Sequence, residues 1–400
     1  MSGCRLAIIA DDLSGALDTS APFAARGADA RVVISLEALA TTLAAWQGQW
    51  PEVIAVNTQS RHLQSEEAAL RVSEAVRLLK RVAPQQWFKK VDSTLRGQVV
   101  AECTALWEAL GFPLLLAPAV PAQGRTVRHA EVWVDGIPLA DTSYQQDALS
   151  TPLIGSIDQA FAASGLPLQR YRSGQGVQLP NGDCIADAES DEELAALYQL
   201  VLSAGCRRAM AGAAGLATAI AQHFFGHSDA QFRRLNNVNA VLYAIGSRSS
   251  RAAEQLQQLR QHVPGLAVIK ACAEPSATPC SPCHSSPVLG AYVVVPGESE
   301  ERTASQVAES MASKVADITS AWRDDDPCLL FLTGGDIAMA VLAQLGVSYI
   351  SVETEWAPGA ALGSMDGDRR KRVMTKAGGF GDPQLLVRLH HQFAPRLESS

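Results

Sequence analysis

Two adjacent carboxylates, Asp11 and Asp12, directly follow the apolar run Leu6–Ala10 and precede a Ser-Gly pair. A buried parallel strand ending here would deliver both acids to a strand-to-helix turn, and open α/β sheets bind ligands at the carboxyl ends of their strands. A single Asp could simply cap the next helix. Because the second acid is more than a cap needs, we expect the pair to belong to a binding or catalytic site.

Polar residues also follow three other apolar runs in the first half of the chain. If the strands are parallel, these residues converge on the edge that carries the acid pair. A guanidinium binds a carboxylate bidentately, and an Asp accepts a hydrogen bond from a hydroxyl or deprotonates it. The pattern favours a small, hydroxylated, anionic ligand, although each residue alone could be a helix cap, a surface ion pair or a turn residue. The candidates are Arg61, Lys90, Asp92, Ser93, Arg96 and Arg125.

The second half shows three turns of small residues, each after a predicted strand. Glycines let backbone N–H groups approach phosphate oxygens, and a following helix N-terminus adds a favourable field. Three such turns favour nucleotide binding. The chain has neither the P-loop pattern nor a strand-anchored G-x-G-x-x-G, which argues against a P-loop enzyme and a Rossmann dehydrogenase. The residues concerned are Ser247, Ser249, Gly334, Gly335, Asp336, Lys376, Gly378 and Gly379.

Strands separated by helices predict an α/β protein of two domains, each with a mainly parallel sheet flanked by helices, and an active site in the cleft between them. We place the domains at residues 1–226 and 240–400, with a linker at 227–239 of little apolar periodicity. Ser65 is the expected N-cap of one helix, and another is expected to reach Trp322. Asp135-Gly136 predicts a hairpin turn.

Composition narrows the function classes. The 400 residues are 47% hydrophobic and carry a net charge of −8, with no basic stripe of the kind that binds nucleic acid. No apolar run approaches the roughly 18 residues of a membrane helix, and no signal core follows the N-terminus. We therefore expect a cytoplasmic protein without a nucleic-acid or membrane partner.

Eight cysteines are present, and in a long cytosolic chain they are expected to be reduced and structural. Cys280, Cys283 and His284 match the spacing of covalent haem attachment, and with Cys272 they imitate a zinc site. They lie in a Pro- and Ser-rich stretch that is typical of a loop, so we do not assign them a metal or haem.

Five motifs, in order along nearly the whole chain, resemble those of the four-carbon acid sugar kinases, a family long labelled a domain of unknown function. They lie at residues 9–16, 90–97, 246–247, 333–336 and 376–381. The resemblance implies an N-terminal domain that binds the acid sugar, a C-terminal domain that binds ATP with Mg²⁺, and phosphorylation of the terminal hydroxyl of a tetronate. The Leu13-Ser14-Gly15 and Gly379-Phe380-Gly381 segments look more like those of D-threonate or D-erythronate kinases than of 3-oxo-tetronate kinases. One departure is His129-Ala130, where the family pattern would have a glycine.

On this resemblance we assign roles within the site. Asp12 orients or deprotonates the attacking hydroxyl, and Asp11 holds a sugar hydroxyl or helps to position Mg²⁺. Arg61 and Arg96 bind the substrate carboxylate. Lys90 and Asp92 contact hydroxyls or the transferred phosphoryl group. No metal ligand is assigned with certainty, and a homodimer is possible.

Two other classes of function remain open at this stage. One is a dehydrogenase acting on the same acid sugar, which the missing dinucleotide motif disfavours. The other is a non-catalytic sugar-acid binding protein. A pure anion binder gains nothing from carboxylates placed beside its ligand, so the pair Asp11-Asp12 favours an enzyme.

Overall fold

A computed structural model of the chain describes residues 3–146, 150–172, 178–226, 235, 238–263, 265–271, 291–297, 302–322 and 326–393. The chain divides into two compact units, residues 1–229 and 230–400. Most of the predicted linker and the whole cluster of Cys272, Cys280, Cys283 and His284 lie outside the described residues, so the linker boundaries stay a prediction. No helix in these ranges is long and apolar enough to cross a lipid bilayer.

The first unit contains a sheet of parallel strands in the order β2-β3-β1-β4-β11-β5-β10-β9 and a small antiparallel sheet of β6, β7 and β8. Its strands are β1 (Leu6–Ala10), β2 (Ala30–Val33), β3 (Val53–Asn57), β4 (Gln86–Lys90), β5 (Leu114–Ala117), β6 (Arg125–Arg128), β7 (Glu131–Val134), β8 (Ile137–Pro138), β9 (Gln169–Arg172), β10 (Cys184–Asp187) and β11 (Ala209–Gly212). Its helices are α1 (Leu13–Ala24), α2 (Leu36–Ala45), α3 (Ser65–Leu79), α4 (Val99–Leu110), α5 (Ile157–Ala163), α6 (Asp191–Ser203) and α7 (Ala214–Phe225). The predicted α/β class and mainly parallel sheet are confirmed.

The register of this sheet brings the predicted polar segments together. Ala10 of β1 lies beside Asn57 of β3 and Lys90 of β4. All five residues of β1 are fully buried, as expected for a central strand covered on both faces. The chain therefore leaves the sheet at one edge after each of these three strands.

The small sheet contains the predicted hairpin. Asp135 and Gly136 form its turn with φ of 52° and 81°, the left-handed values that this dipeptide favours. His129 and Ala130 are also left-handed, with φ of 54° and 61°, which explains why a glycine would suit this place. Their N–H groups donate to the carboxylate of Asp187 at 2.8 and 2.9 Å, and these bonds hold the turn without glycine.

The second unit has strands in the order β13-β14-β12-β15-β18-β17-β16, parallel except for the antiparallel pairs β16–β17 and β17–β18. They are β12 (Ala240–Ile245), β13 (Ala267–Ala271), β14 (Ala291–Pro296), β15 (Cys328–Thr333), β16 (Tyr349–Ala357), β17 (Ala360–Met365) and β18 (Lys371–Lys376). The helices are α8 (Ser250–His262), α9 (Ala304–Thr319), α10 (Gly335–Gln344) and α11 (Leu385–His391). Ile245, Thr333 and Lys376 pair side by side, so the three small-residue turns also begin at one edge.

Two local predictions were wrong. Ser65 is the first residue of α3 rather than its N-cap, and its hydroxyl donates to Gln98 at 2.8 Å instead of capping the helix. Helix α9 ends at Thr319, short of Trp322. Strands β6, β9 and β17 were not predicted. The small residues of β17 lack the β-branched pattern of a strand.

Candidate functional site

The acid pair lies at the end of β1, as the sequence predicts. Asp12 is the N-cap of α1: its carboxylate accepts from the N–H of Gly15 at 2.9 Å. Asp11 is 2% exposed and takes no part in the cap. The capping interpretation is therefore correct for Asp12, and Asp11 is the acid that it leaves unexplained.

Arg61 holds both acids through a two-sided fork. Its Nε and one terminal nitrogen donate to the two carboxylate oxygens of Asp11 at 2.7 and 3.0 Å. Both terminal nitrogens donate to Asp12 at 2.8 and 2.9 Å. The same guanidinium lies 3.9 Å from Asp92. One buried cation thus offsets the repulsion between neighbouring carboxylates.

Asp92 organises the turn that follows β4. Its carboxylate accepts from the backbone N–H of Thr94 at 3.1 Å and from the guanidinium of Arg96 at 3.0 and 2.9 Å. Gly97 closes the turn with φ of 85°, and a Cβ there would lie 3.0 Å from a carboxylate oxygen of Asp11. A glycine is therefore required for this turn to approach the acid pair.

Lys90 and Asp18 also interact with this cluster. The ammonium group of Lys90 donates to the carbonyl of Val91 at 2.8 Å and passes so close to Gly15 that a Cβ there would lie 3.3 Å from Nζ. Asp18 follows Gly15 on the same face of α1. Asp18 was not among the predicted site residues, and its spacing of three residues from Gly15 was the available signal.

The charges of the cluster set the pKa values of its acids. Burial alone would raise the pKa of Asp11, but Arg61, Lys89 and Lys90 outweigh it and hold that pKa below the usual value. In the same way Arg96 and Arg61 overcome burial and keep the pKa of Asp92 well below its usual range. The pKa of Asp18 is raised by burial, with Lys90 opposing the shift and Asp12 and Asp92 adding to it. Asp11 and Asp92 are thus carboxylates at neutral pH.

Two predicted residues stand apart from this ion-pair network. Arg125 lies on β6 of the small sheet, where it donates to the carbonyl of Gln123 and, at 3.0 Å, to the hydroxyl of Tyr144. Arg125 therefore lies on the small sheet, whereas Arg61 and Arg96 lie in the turns that follow β3 and β4 of the large sheet. Ser93 is half-buried in the turn after β4.

The second unit brings its predicted turns together at the ends of β12, β15 and β18. The hydroxyl of Ser249 caps α8 by accepting from Ala252 at 3.1 Å and donates to the carbonyl of Gly378 at 2.7 Å. A Cβ on Gly378 would overlap the hydroxyl of Ser247, and one on Gly334, whose φ is 100°, would lie 3.2 Å from the N–H nitrogen of Ser247. Only glycines allow these turns to meet so closely.

Other members of these turns face open space. A Cβ on Gly335 or Gly379 would meet no atom within 4 Å. Asp336 is exposed in the first turn of α10. The edge of the sheet therefore offers backbone groups and a helix N-terminus to solvent, which is an arrangement that suits phosphate.

Lys376 builds the last turn from inside. Its buried ammonium group donates to the carbonyls of Ala377, Gly378 and Phe380 at 2.9, 2.8 and 2.9 Å. Burial, with a contribution from Arg251, lowers its pKa to about 8. These three bonds match the three donors of an ammonium group, so Lys376 holds the turn rather than reaching out of it.

The described residues contain no group of three or more His, Cys, Asp or Glu side chains arranged to hold a metal ion. The oxygens of Asp11 and Asp12 are bonded to Arg61 instead. A dedicated protein cage for Mg²⁺ is thus not formed by these acids. Mg²⁺ more often binds through the phosphates of its substrate and one or two carboxylates.

Both halves of the chain match described families. Residues 6–220 match the Sugar-binding N-terminal domain and residues 242–386 match the Nucleotide-binding C-terminal domain. The chain is 31% identical to a D-threonate kinase of Bordetella bronchiseptica over 97% of each chain, and 27% identical to one of Salmonella typhimurium over 96% of each. It is 24% identical to a D-erythronate kinase of Heliobacterium modesticaldum over 94% of each.

Solved structures of similar proteins support the same family and fold. A Bordetella bronchiseptica protein described as a domain of unknown function, with bound citrate and as a domain-swapped dimer, is 27% identical with a TM-score of 0.51, covering 97% of this chain and 98% of that one. A Haemophilus influenzae protein with the same family label has a TM-score of 0.71 at 16% identity, and the match covers 97% of this chain and 100% of that one. At this low identity, the likeness supports the fold alone. With both domains matched in order and kinase relatives along nearly its whole length, the chain belongs to the four-carbon acid sugar kinases.

Proposed function

We propose that this enzyme transfers the γ-phosphoryl group of ATP to the C4 hydroxyl of D-threonate, giving D-threonate 4-phosphate. The observation that carries the proposal is the cluster of three aspartates and two arginines at the ends of β1, β3 and β4. Carboxylates accept hydrogen bonds from hydroxyls, and guanidinium forks bind a carboxylate. A four-carbon sugar acid has both groups.

Arg96 is the better suited of the two arginines to bind the substrate carboxylate. Its side chain is 27% exposed, against 13% for Arg61, and it forms an ion pair with Asp92. Arg61 is already paired with the carboxylates of Asp11 and Asp12, and its positive charge offsets the repulsion between them. A substrate carboxylate would replace Asp92 on the fork of Arg96, which leaves Asp92 to accept from a hydroxyl.

Phosphoryl transfer depends mainly on positioning and charge neutralisation. We assign Asp12 to the attacking hydroxyl, where it orients the O–H and accepts its proton as the bond to phosphorus forms. Asp11 holds the neighbouring hydroxyl. Lys90 lies beside Asp12 over Gly15, where its charge favours the transferred phosphoryl group. ATP binds through its phosphates at the turns of the second unit, and Mg²⁺ accompanies those phosphates.

The choice of D-threonate is supported by the relatives with that name. Three D-threonate kinases are 27–31% identical to this chain, whereas the D-erythronate kinase and the 3-oxo-tetronate kinases are 23–28% identical. The domain-swapped dimer described for the Bordetella protein supports a homodimer here. D-erythronate and 3-oxo-tetronate are the alternative substrates.

The substrate is tested by measuring ADP release with D-threonate, D-erythronate and a 3-oxo-tetronate. We expect the highest kcat/KM with D-threonate and no release beyond background without an acid sugar. A clear preference for another tetronate would correct the substrate and keep the kinase. No ADP release with any of the three, while calorimetry shows that one of them binds, would favour a binding protein.

The role of Asp12 is tested with Asp12→Asn. Asn also caps helices well, so α1 is expected to stay intact, whereas the amide cannot accept the proton. We expect turnover to fall by about two or more orders of magnitude, with ADP affinity unchanged in calorimetry. Turnover near that of the unsubstituted enzyme would exclude Asp12 as the base.

The role of Lys376 gives a pH dependence with a defined sign. Below its pKa of about 8 the ammonium group has three donors for three carbonyls, and above it the neutral amine has two and no charge. ADP affinity should therefore fall as pH rises from 7 to 9. Lys376→Met should weaken ADP binding by about tenfold or more at pH 7, equivalent to one lost charge-assisted bond, and flatten this pH dependence.

Lys371→Met is the control, since Lys371 lies at the other end of the same strand. It should keep both the affinity and the pH dependence. Equal ADP affinities for Lys376→Met and the unsubstituted enzyme at pH 7 would show that the turn does not need the lysine.

A further inference from the structure

A buried polar network lies directly beneath the acid pair. Lys89, Ser60 and Thr58 are fully buried and Glu102 of α4 is 2% exposed. The ammonium group of Lys89 lies 3.1 Å from Glu102 Oε2 and donates to the carbonyl of Lys90 at 2.7 Å. None of these groups has a part in the mechanism proposed above, although burying them without water is costly.

Three oxygen contacts run in series from Glu102 to the end of β1. Oε1 of Glu102 contacts the hydroxyl of Ser60, which lies 2.7 Å from the hydroxyl of Thr58. The hydroxyl of Thr58 donates to the carbonyl of Ala10 at 2.8 Å. Each contact needs one hydrogen between its two oxygens, and a carbonyl oxygen carries none.

The series is one hydrogen short if Glu102 is ionised. Ser60 and Thr58 supply one hydrogen each, which leaves the third contact without one. Lys89 cannot supply it, because the contacts of its ammonium group are with Oε2 and with the carbonyl of Lys90. A protonated Glu102 completes the series: the acid donates to Ser60, Ser60 to Thr58, and Thr58 to Ala10.

The charges around Glu102 agree with this count. Burial raises the pKa of Glu102 and prevails over the charge of Lys89 and the hydrogen bonds with Ser60 and Lys89, which oppose the shift, while Asp11 adds to it. On α4 itself, burial raises the pKa of the neighbouring Cys103 thiol to about 12, so it brings no charge. The positive charge of Lys89 is then balanced by Asp11, whose pKa it helps to lower.

The series passes through the turn that carries Arg61. Ser60 directly precedes Arg61, and its N–H donates to the carbonyl of Asp11 at 3.0 Å. Gln59 is left-handed with φ of 52°, and its N–H donates to the side chain of Asn57 at 2.9 Å. The place of Arg61 between the two aspartates therefore depends on how Ser60 is held from below.

We propose that Glu102 is a positioning residue that carries a proton, and that this proton fixes the Ser60–Arg61 turn and with it the acid-sugar site. Loss of the proton removes the donor to Ser60 and places a second negative charge behind Asp11. The turn then loosens and acid-sugar binding weakens. The identity of the bound ligand rests on the proposed function, whereas the proton on Glu102 does not.

The first test needs no substrate. Infrared difference spectra of the unsubstituted enzyme against Glu102→Gln at pH 7 should show the carbonyl stretch of a protonated carboxylic acid that the variant lacks. Glu108→Gln, at an exposed position of the same helix, should lack this difference. Absence of the band for Glu102 would overturn the proposal whatever the protein binds.

The second test measures D-threonate affinity by calorimetry without nucleotide. Glu102→Gln keeps a donor for Ser60 and an acceptor for Lys89, so it should bind D-threonate within about twofold of the unsubstituted enzyme at pH 6. Glu102→Leu, if its thermal unfolding shows that it is folded, should bind about tenfold or more weakly, since it removes the donor to Ser60 and the acceptor for Lys89.

The pH profile separates positioning from a purely structural role. As pH rises through the raised pKa of Glu102, the affinity of the unsubstituted enzyme should fall while that of Glu102→Gln stays level. Superimposed profiles, or a loss in Glu102→Gln as large as in Glu102→Leu, would contradict the proposal. If the infrared band is present but no tetronate binds to any form, the proposed function fails and the proton assignment stands.

Discussion

The fork of Arg61 between Asp11 and Asp12 is the interaction on which the rest of the first unit depends. Two adjacent carboxylates at the end of a buried strand repel each other and lose hydration, and a partner cation is needed to hold both in the charged form. Removing one partner of a buried ion pair typically costs about 3–5 kcal/mol, a large share of the stability of a domain. The glycine at position 97 and the left-handed Gln59 are features of backbone that let this contact form.

Lysines at strand ends have a related role in both units. Lys90 and Lys376 are the last residues of β4 and β18, and each directs its ammonium group to backbone carbonyls of the turn that follows. Such a lysine gives a turn its shape and leaves a positive charge behind it. For an enzyme that binds a sugar acid and a nucleotide, both of which are anions, this places charge where it attracts the ligand without being displaced by it.

Much of this architecture is predictable from local sequence. The apolar runs gave the central strands, and parallel pairing then required Arg61, Lys90 and Asp92 to meet the acid pair at one edge. What could not be predicted were contacts set by tertiary packing. Arg125 does not lie at the edge of the large sheet, because its segment forms an additional small sheet. Glu102 contacts Lys89 from helix α4, whose sequence is that of an ordinary amphipathic helix. The pairing of Arg61 with Asp11 and Asp12 was also not predicted, since a sequence shows an arginine but not which carboxylate its guanidinium binds.

The central claim is that the arginine–aspartate cluster recognises the carboxylate of a sugar acid, and calorimetry without nucleotide tests it most directly. The unsubstituted enzyme should bind D-threonate and bind the corresponding uncharged tetritol at least about tenfold more weakly, because an alcohol has neither the charge nor the paired oxygens that a guanidinium fork binds. Arg96→Ala should bind both compounds equally weakly while its ADP affinity is unchanged. An Arg96→Ala variant that still prefers D-threonate by the same factor would contradict the account.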